Sequence, residues 1–257
     1  MKKIAFISTL VAIMAVASFG VDKNFDENFK NSIKTHFKNA KNIKVISTDK
    51  LKSVNGLNLV VFESLDTNET IPFFASDDGK TLLSFPQITI FGNNSDKEMV
   101  NAKIENLKLA QAKKQQKIVY EIIKTLPKDR FIEINSFDKN NKFITYMVTD
   151  PECPYCRKEM EKIVKWLRNS NVKIIFAPVH GKSAYTKAAI MLKEAKKLSP
   201  DNQDGIIKIL QKYYDEKAVV SDSQASDKER QMVLDDAKKL FSKGAIKGVP
   251  FQFTIEK

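Results

Sequence analysis

Asp150-Pro151-Glu152-Cys153-Pro154-Tyr155-Cys156-Arg157 holds the only two cysteines of the 257-residue chain, spaced Cys-x-x-Cys. Immediately before it, 142–149 (Lys-Phe-Ile-Thr-Tyr-Met-Val-Thr) is rich in β-branched and aromatic residues and predicts a strand. Immediately after it, Cys156, Met160, Ile163, Val164 and Leu167 recur at helical spacing, so a helix starts at the motif. A cysteine at a helix start has its thiolate favoured by free backbone N–H groups and the positive dipole end, and Arg157 and Lys158 add to this while Glu152 opposes it. Pro154 suits the first helical turn, where its missing N–H costs nothing. The expected layout puts Cys153 exposed at the helix tip and Cys156 one turn in, facing the fold. In that layout one sulfur can attack a disulfide and the other resolve the mixed disulfide.

A zinc half-site needs three or four ligands, and the remaining histidines, His36 and His180, lie far off in sequence. A purely structural disulfide closing so short a loop would constrain little of the unfolded chain. Redox chemistry fits the strand–Cys-x-x-Cys–helix context best, with the pair Cys153 and Cys156 as its own redox group and no metal or further cofactor expected.

A net charge of +12 admits nucleic acid or an anionic membrane surface as partners. The lysines are scattered along every predicted helix with acids between them, which reads as a solvated surface, and no nucleic-acid-binding motif accompanies them. Met1-Lys2-Lys3, the apolar run 4–15 and the small residues Ala15-Val16-Ala17 predict a secretory signal peptide over 1–17. Export with a lone Cys-x-x-Cys points to an oxidising compartment.

Phe25, Phe29, Ile33 and Phe37 recur every four residues and mark an amphipathic helix packed on a core. Short strand-like runs follow at 43–47, 57–65, 71–75, 81–85 and 87–91, with Asp77-Asp78-Gly79-Lys80 as a hairpin turn. Residues 18–92 therefore read as a small helix-plus-antiparallel-sheet module. Ser95-Asp96-Lys97-Glu98 is a capping box, and no helix breaker follows before Pro127. The polar stretch 111–117 inside that run predicts a linker helix over 93–117, and Met99, Ile104, Leu107 and Leu109 do not keep a coiled-coil heptad. A second domain then covers 118–257. Its strands are expected at 131–134, 142–149, 171–177 and 251–255, and its helices at 183–198, 203–214 and 227–242. The β–α–β order around the motif implies a right-handed crossover between parallel strands.

A Cys-x-x-Cys at a helix start, followed much later by Gly248-Val249-Pro250 opening a strand, resembles the thioredoxin fold. More narrowly, the chain resembles the DsbC/DsbG family of periplasmic disulfide isomerases. The resemblance rests on the small exported N-terminal module with its Asp-Asp-Gly-Lys hairpin, the linker helix, Thr149-Asp150-x-x-Cys153-x-Tyr155-Cys156, and the helical insertion at 183–243. The Pro154-Tyr155 dipeptide matches the DsbG branch.

The resemblance implies a mixed α/β architecture, with a thioredoxin-like catalytic domain behind a cystatin-like dimerisation module. It also implies a homodimer, a cis proline at 250 facing the cysteines, and Val249 and Pro250 as the edge that binds an extended substrate. Unfolded or misoxidised exported proteins would be the substrates, and a membrane protein of the DsbD or DsbB type the redox partner. Three departures stand out. Val249 precedes the proline where the isomerases usually carry threonine, the second cysteine pair of some members is absent, and the chain stops at Lys257 soon after the last strand. The expected activity is a periplasmic disulfide isomerase or reductase acting through Cys153 and Cys156. A DsbA-like net oxidase and a chaperone-type binding protein stay open beside it.

Overall fold

The computed structural model describes residues 24–37, 41–67, 69–84 and 94–257. The signal peptide read at 1–17, the strand read at 87–91 and the end of the one read at 81–85 lie outside the described residues. The chain divides into two compact units, Met1–Gln111 and Ala112–Lys257.

In the first unit, helix α1 (Phe25–His36) buries the predicted stripe Phe25, Phe29 and Ile33. Phe37 caps the helix half-exposed, with its ring 5.5 Å from that of Phe73. The strands β1 (Ile43–Lys50), β2 (Leu57–Ser64), β3 (Glu69–Ser76) and β4 (Leu82–Leu83) form an antiparallel sheet in chain order. The run Leu59-Val60-Val61-Phe62 is buried throughout because both faces of β2 are covered. Val60 and Phe62 belong to the cluster under α1, while Leu59 and Phe74 pack with Leu51 and Val100 of helix α2 (Asn94–Lys124). The turn after β3 needs Gly79. Its φ is +73°, and a Cβ there would lie 2.7 Å from the Phe25 carbonyl oxygen.

Helix α2 begins at Asn94, so Ser95 lies inside it rather than at the predicted cap. Asp96 is turned to a different task. Its carboxylate accepts the backbone N–H groups of Lys52 and Ser53 at 3.0 and 2.7 Å, and the Ser53 hydroxyl. The Ser53 hydroxyl, ahead of those backbone donors, holds the Asp96 carboxyl below the ordinary carboxylate range.

The second unit is built on a four-stranded sheet of order β5-β7-β6-β8, where β5 is Phe131–Ile134, β6 Phe143–Thr149, β7 Asn171–Phe176 and β8 Phe251–Glu256. β6 and β7 pair in parallel across the motif crossover, and β5 and β8 pair antiparallel at the two edges. Alternation along β6 sends Met147 to one face and Tyr146 and Val148 to the other. Met147, Ile174 and Val172 pack against α3 (Pro154–Met160), α4 (Ile163–Asn169), α5 (Lys182–Ala195) and α6 (Gln203–Tyr214). Tyr146, Val148, Ile175 and Phe253 pack against the end of α2 and against α7 (Asp227–Phe241), which opens on a Ser226–Glu229 capping box. Among the described residues no helix is long and apolar enough to cross a membrane.

The single helix predicted after the motif is two. At Lys162 the backbone turns to φ −91°, ψ 8°, and its N–H bonds to the Glu159 carbonyl only three residues back. The Trp166 indole N–H and the Lys162 ammonium both reach the Glu159 carboxylate across the break, at 2.7 and 2.9 Å. Cys156, Met160, Ile163 and Leu167 still face the core, whereas Val164 falls outside the stripe, 40% exposed.

Candidate functional site

β6 ends at Thr149, and the next residues turn so that the Cys153 N–H donates to the Asp150 carbonyl at 3.2 Å. Cys153 is the N-cap of α3 with extended dihedrals, and Pro154 occupies the first helical turn. Both cysteines are free thiols. Cys156 lies one turn in and is fully buried, as its place in the apolar stripe requires.

Cys153 differs from the exposed tip read from the sequence, because it retains only 5% exposure. The reason is tertiary. The Val249–Pro250 bond is cis, and the Val249 carbonyl oxygen lies 3.5 Å from Cys153 Sγ, so the segment entering β8 covers the sulfur. Val249 and Pro250 are thereby brought to the motif. Tyr155, between the cysteines, stands 72% exposed at the surface.

Burial pushes the Cys156 thiol up to about 12, with the Thr149 hydroxyl and the Asp150 backbone pulling the other way. Thr149 is itself oriented from α6, since the Tyr214 hydroxyl donates to Thr149 Oγ1 at 3.0 Å. Burial also drives the Tyr214 phenol well above its ordinary range. Tyr214, Thr149 and Cys156 are all buried, and the first two are hydrogen-bonded to each other.

Asp150, fully buried, is the knot of the site. One oxygen accepts the Glu152 N–H at 2.8 Å. The other accepts the N–H groups of Val179 and His180 at 2.8 and 3.1 Å and meets His180 Nδ1 at 2.7 Å. The carboxylate thus ties the loop before Cys153 to the loop after β7. Glu152 turns toward α5, where it accepts the Ser183 hydroxyl at 2.6 Å and pairs with the Lys187 ammonium at 3.1 Å. This corrects the expectation that Glu152 simply opposes the charge near Cys153, because its own charge is matched. Arg157 is also engaged, its Nε on the Pro151 carbonyl at 3.3 Å and its guanidinium 3.9 Å from the exposed Glu216 carboxylate.

Sequence reasoning missed Ser183, Lys187 and Tyr214, and took His180 only as a ligand too distant to matter. One signal was available: Lys187 falls among Ala184, Ala188 and Met191, a charge on an otherwise apolar helical stripe. Among the described residues no three His, Cys, Asp or Glu side chains converge to hold a metal ion.

The elevated Cys156 thiol has a consequence for stability. An unfolded thiol titrates near pH ~8.5, so above that pH the unfolded chain has released a proton that folded Cys156 still holds. Stability of the dithiol form is therefore intact below the ordinary thiol range and falls as pH rises toward about 12. The expected slope from this group is at most about 1.4 kcal/mol per pH unit. Tyr146 and Tyr214 act in the same direction, so the comparison is with Cys156→Ala. Urea melts of the reduced protein between about pH 8 and 10 should show a shallower decline for the variant than for wild type. Equal slopes would mean that Cys156 ionises normally in the fold.

Residues 29–119 match the family described as disulfide isomerase DsbG, N-terminal. No curated protein matches the chain. Among solved structures, Helicobacter pylori DsbG is 27% identical over 89% of this chain and 100% of that one, with a TM-score of 0.53. A linker-deletion variant of Proteus mirabilis ScsC is 17% identical over 65% of this chain and 88% of that one, TM-score 0.43. The α-DsbA2 of Wolbachia pipientis is 13% identical over 58% of this chain and 88% of that one, TM-score 0.43. The resemblance read from the motifs therefore holds: the chain is DsbG-like, with a thioredoxin-type mixed α/β fold. Its activity is of the thiol–disulfide oxidoreductase kind.

Proposed function

We propose that the protein is a periplasmic catalyst that reduces or isomerises disulfides in exported proteins, with Cys153 as nucleophile and Cys156 as resolving thiol. The observation that carries this reading is the asymmetry of the pair. Cys153 caps its helix against the Val249 carbonyl, while Cys156 is sealed behind it with its thiol raised by burial. The match of the N-terminal stretch to a disulfide isomerase domain favours the isomerase or reductase direction over net oxidation.

In the first step the Cys153 thiolate attacks one sulfur of a substrate disulfide. A Cys153–substrate bond forms as the substrate S–S bond breaks, and the other substrate sulfur leaves as a thiolate. Isomerisation follows when a different substrate thiolate attacks the substrate sulfur of the mixed disulfide and releases Cys153. Reduction follows when Cys156 gives up its proton and attacks Cys153. The substrate then departs with two electrons more, and Cys153–Cys156 becomes a disulfide for a membrane reductant of the DsbD type to reduce. The Val249–Pro250 segment beside the sulfur suits an extended substrate segment added as a strand. By analogy with the DsbG branch, the first unit joins two copies into a homodimer whose two sites face unfolded chain, and sedimentation at micromolar concentration would read out that state.

The direction is tested by trapping thiols in living cells with an alkylating probe. Cys153 and Cys156 found reduced at steady state support the isomerase or reductase. A pair found oxidised, recharged by a DsbB-type partner, would make the protein a net oxidase. Full function in a chain lacking both cysteines would leave only a chaperone-type binding role.

A further inference from the structure

Lys187 lies on α5 among the buried Ala184, Ala188 and Met191 and is itself 2% exposed. An ammonium in such a place is tolerated only when an anion meets it. Its partner is Glu152, 3.1 Å away, and the same Glu152 oxygen accepts the Ser183 hydroxyl at 2.6 Å. Glu152 is also the residue directly before Cys153. An ion pair buried on one side therefore sits one residue from the nucleophile, and its cation comes from the helical insertion rather than from the strand–helix motif itself.

We propose that Lys187 is a positioning residue for the exchange reaction: it holds and neutralises Glu152, and so sets how readily the Cys153–Cys156 disulfide accepts electrons. The inference rests on the reading of Cys153 as the attacking thiol. The relevant equilibrium is reduction by glutathione. Two glutathione thiols become one glutathione disulfide, the Cys153–Cys156 bond opens, and two electrons pass to the protein with two protons, or with one where Cys153 is ionised and the other proton goes to solvent.

Where Cys153 is ionised the reduced form carries a negative charge there, whereas the disulfide is uncharged. A Glu152 carboxylate stripped of its counter-charge would repel that thiolate and leave the disulfide untouched. Loss of Lys187 therefore biases the pair toward the disulfide. The other charged or ionisable groups facing the motif are not partners of Lys187: Asp150 meets His180, Arg157 meets Pro151 and Glu216, Tyr214 meets Thr149, Tyr185 meets the Pro178 carbonyl, and Lys158 is exposed.

The test uses the full chain with Lys187→Met, Lys187→Gln and the double variant Glu152→Gln/Lys187→Met. Lys187→Gln keeps a hydrogen-bond donor for Glu152 in case the apolar variant does not fold. Expected for either single variant is a three- to tenfold (order-of-magnitude) fall in the equilibrium constant for reduction by glutathione, with the pH midpoint of Cys153 alkylation moved upward. The double variant removes both charges and should return both readouts to within about twofold of wild type. A loss of packing alone would not be repaired by a second substitution. Folded single variants with wild-type potential and pH profile, or a double variant no closer to wild type than the singles, would overturn the inference. Wild-type protein that alkylates first at Cys156 would overturn the reading of the site itself, and the inference with it.

Discussion

Cys156→Ser should convert the protein into a trap for its own substrates. In this variant Cys153 keeps its place at the helix cap against Val249, so the attack on a substrate disulfide proceeds. Release by residue 156 cannot occur, because a serine hydroxyl does not displace a thiolate from a disulfide, and a substrate with no further thiol in reach stays bound. The substitution should also be tolerated by the fold, since the Thr149 hydroxyl and the Asp150 backbone favour a polar atom at this position. Turnover in insulin reduction is expected to fall by at least about a hundredfold, the scale of losing a group that acts in the bond-breaking step. Mixed disulfides through Cys153 should accumulate as higher bands on non-reducing gels and vanish with reductant. Cys153→Ser should lose the activity equally but form no such bands. Adducts carried by Cys156 in the Cys153→Ser protein, at the level seen in its counterpart, would reverse the assignment of the two sulfurs.

What the sequence made legible here was local. The strand before the motif, the cysteine spacing and the apolar stripe after it all lie within one stretch, where periodicity of 2.0 and 3.6 residues speaks directly. The strands 131–134 and 142–149 and the helix 203–214 were readable for the same reason, and so was the turn at Gly79, where only a residue free to take positive φ fits. The contacts that give the site its character were not local. Cys153 is covered by Val249, 96 positions away, and Asp150 meets His180 across 30. Neither separation has a period to reveal it. The burial of Cys153 was misjudged because a helix tip was assumed to face water, and the fold brings another segment over it. The break at Lys162 was invisible because the apolar spacing from Cys156 to Leu167 suits an unbroken helix, while the turn is held by polar side chains converging on Glu159.

Asp150→Ala is expected to cost the second unit about 3–5 kcal/mol, through the loss of a buried acceptor shared by several backbone N–H groups. The carboxylate is fully buried and accepts three backbone N–H groups, those of Glu152, Val179 and His180, besides meeting His180 Nδ1. Each donor left without an acceptor costs roughly 1–3 kcal/mol if it stays dry, and hydrogen bonds to a charged acceptor stand at the upper end of that range. Water entering beside the partly exposed His180 ring would recover part of this, which is why the expectation stays below the sum. Asp150→Asn should be milder. It keeps one acceptor oxygen but aims an amide N–H at a donor on the other side. Trp166, the sole tryptophan of the chain, lies in this unit and reports its unfolding by fluorescence in urea. For a unit of this size the alanine variant should melt about 10 °C lower. Because the loop before Cys153 then loses the Asp150 tie to the loop after β7, Cys153 should also alkylate faster in the folded variant than in wild type. A midpoint within about 1 kcal/mol of wild type would show that the Asp150 knot is dispensable, and that the β6–α3 turn is held by the backbone alone.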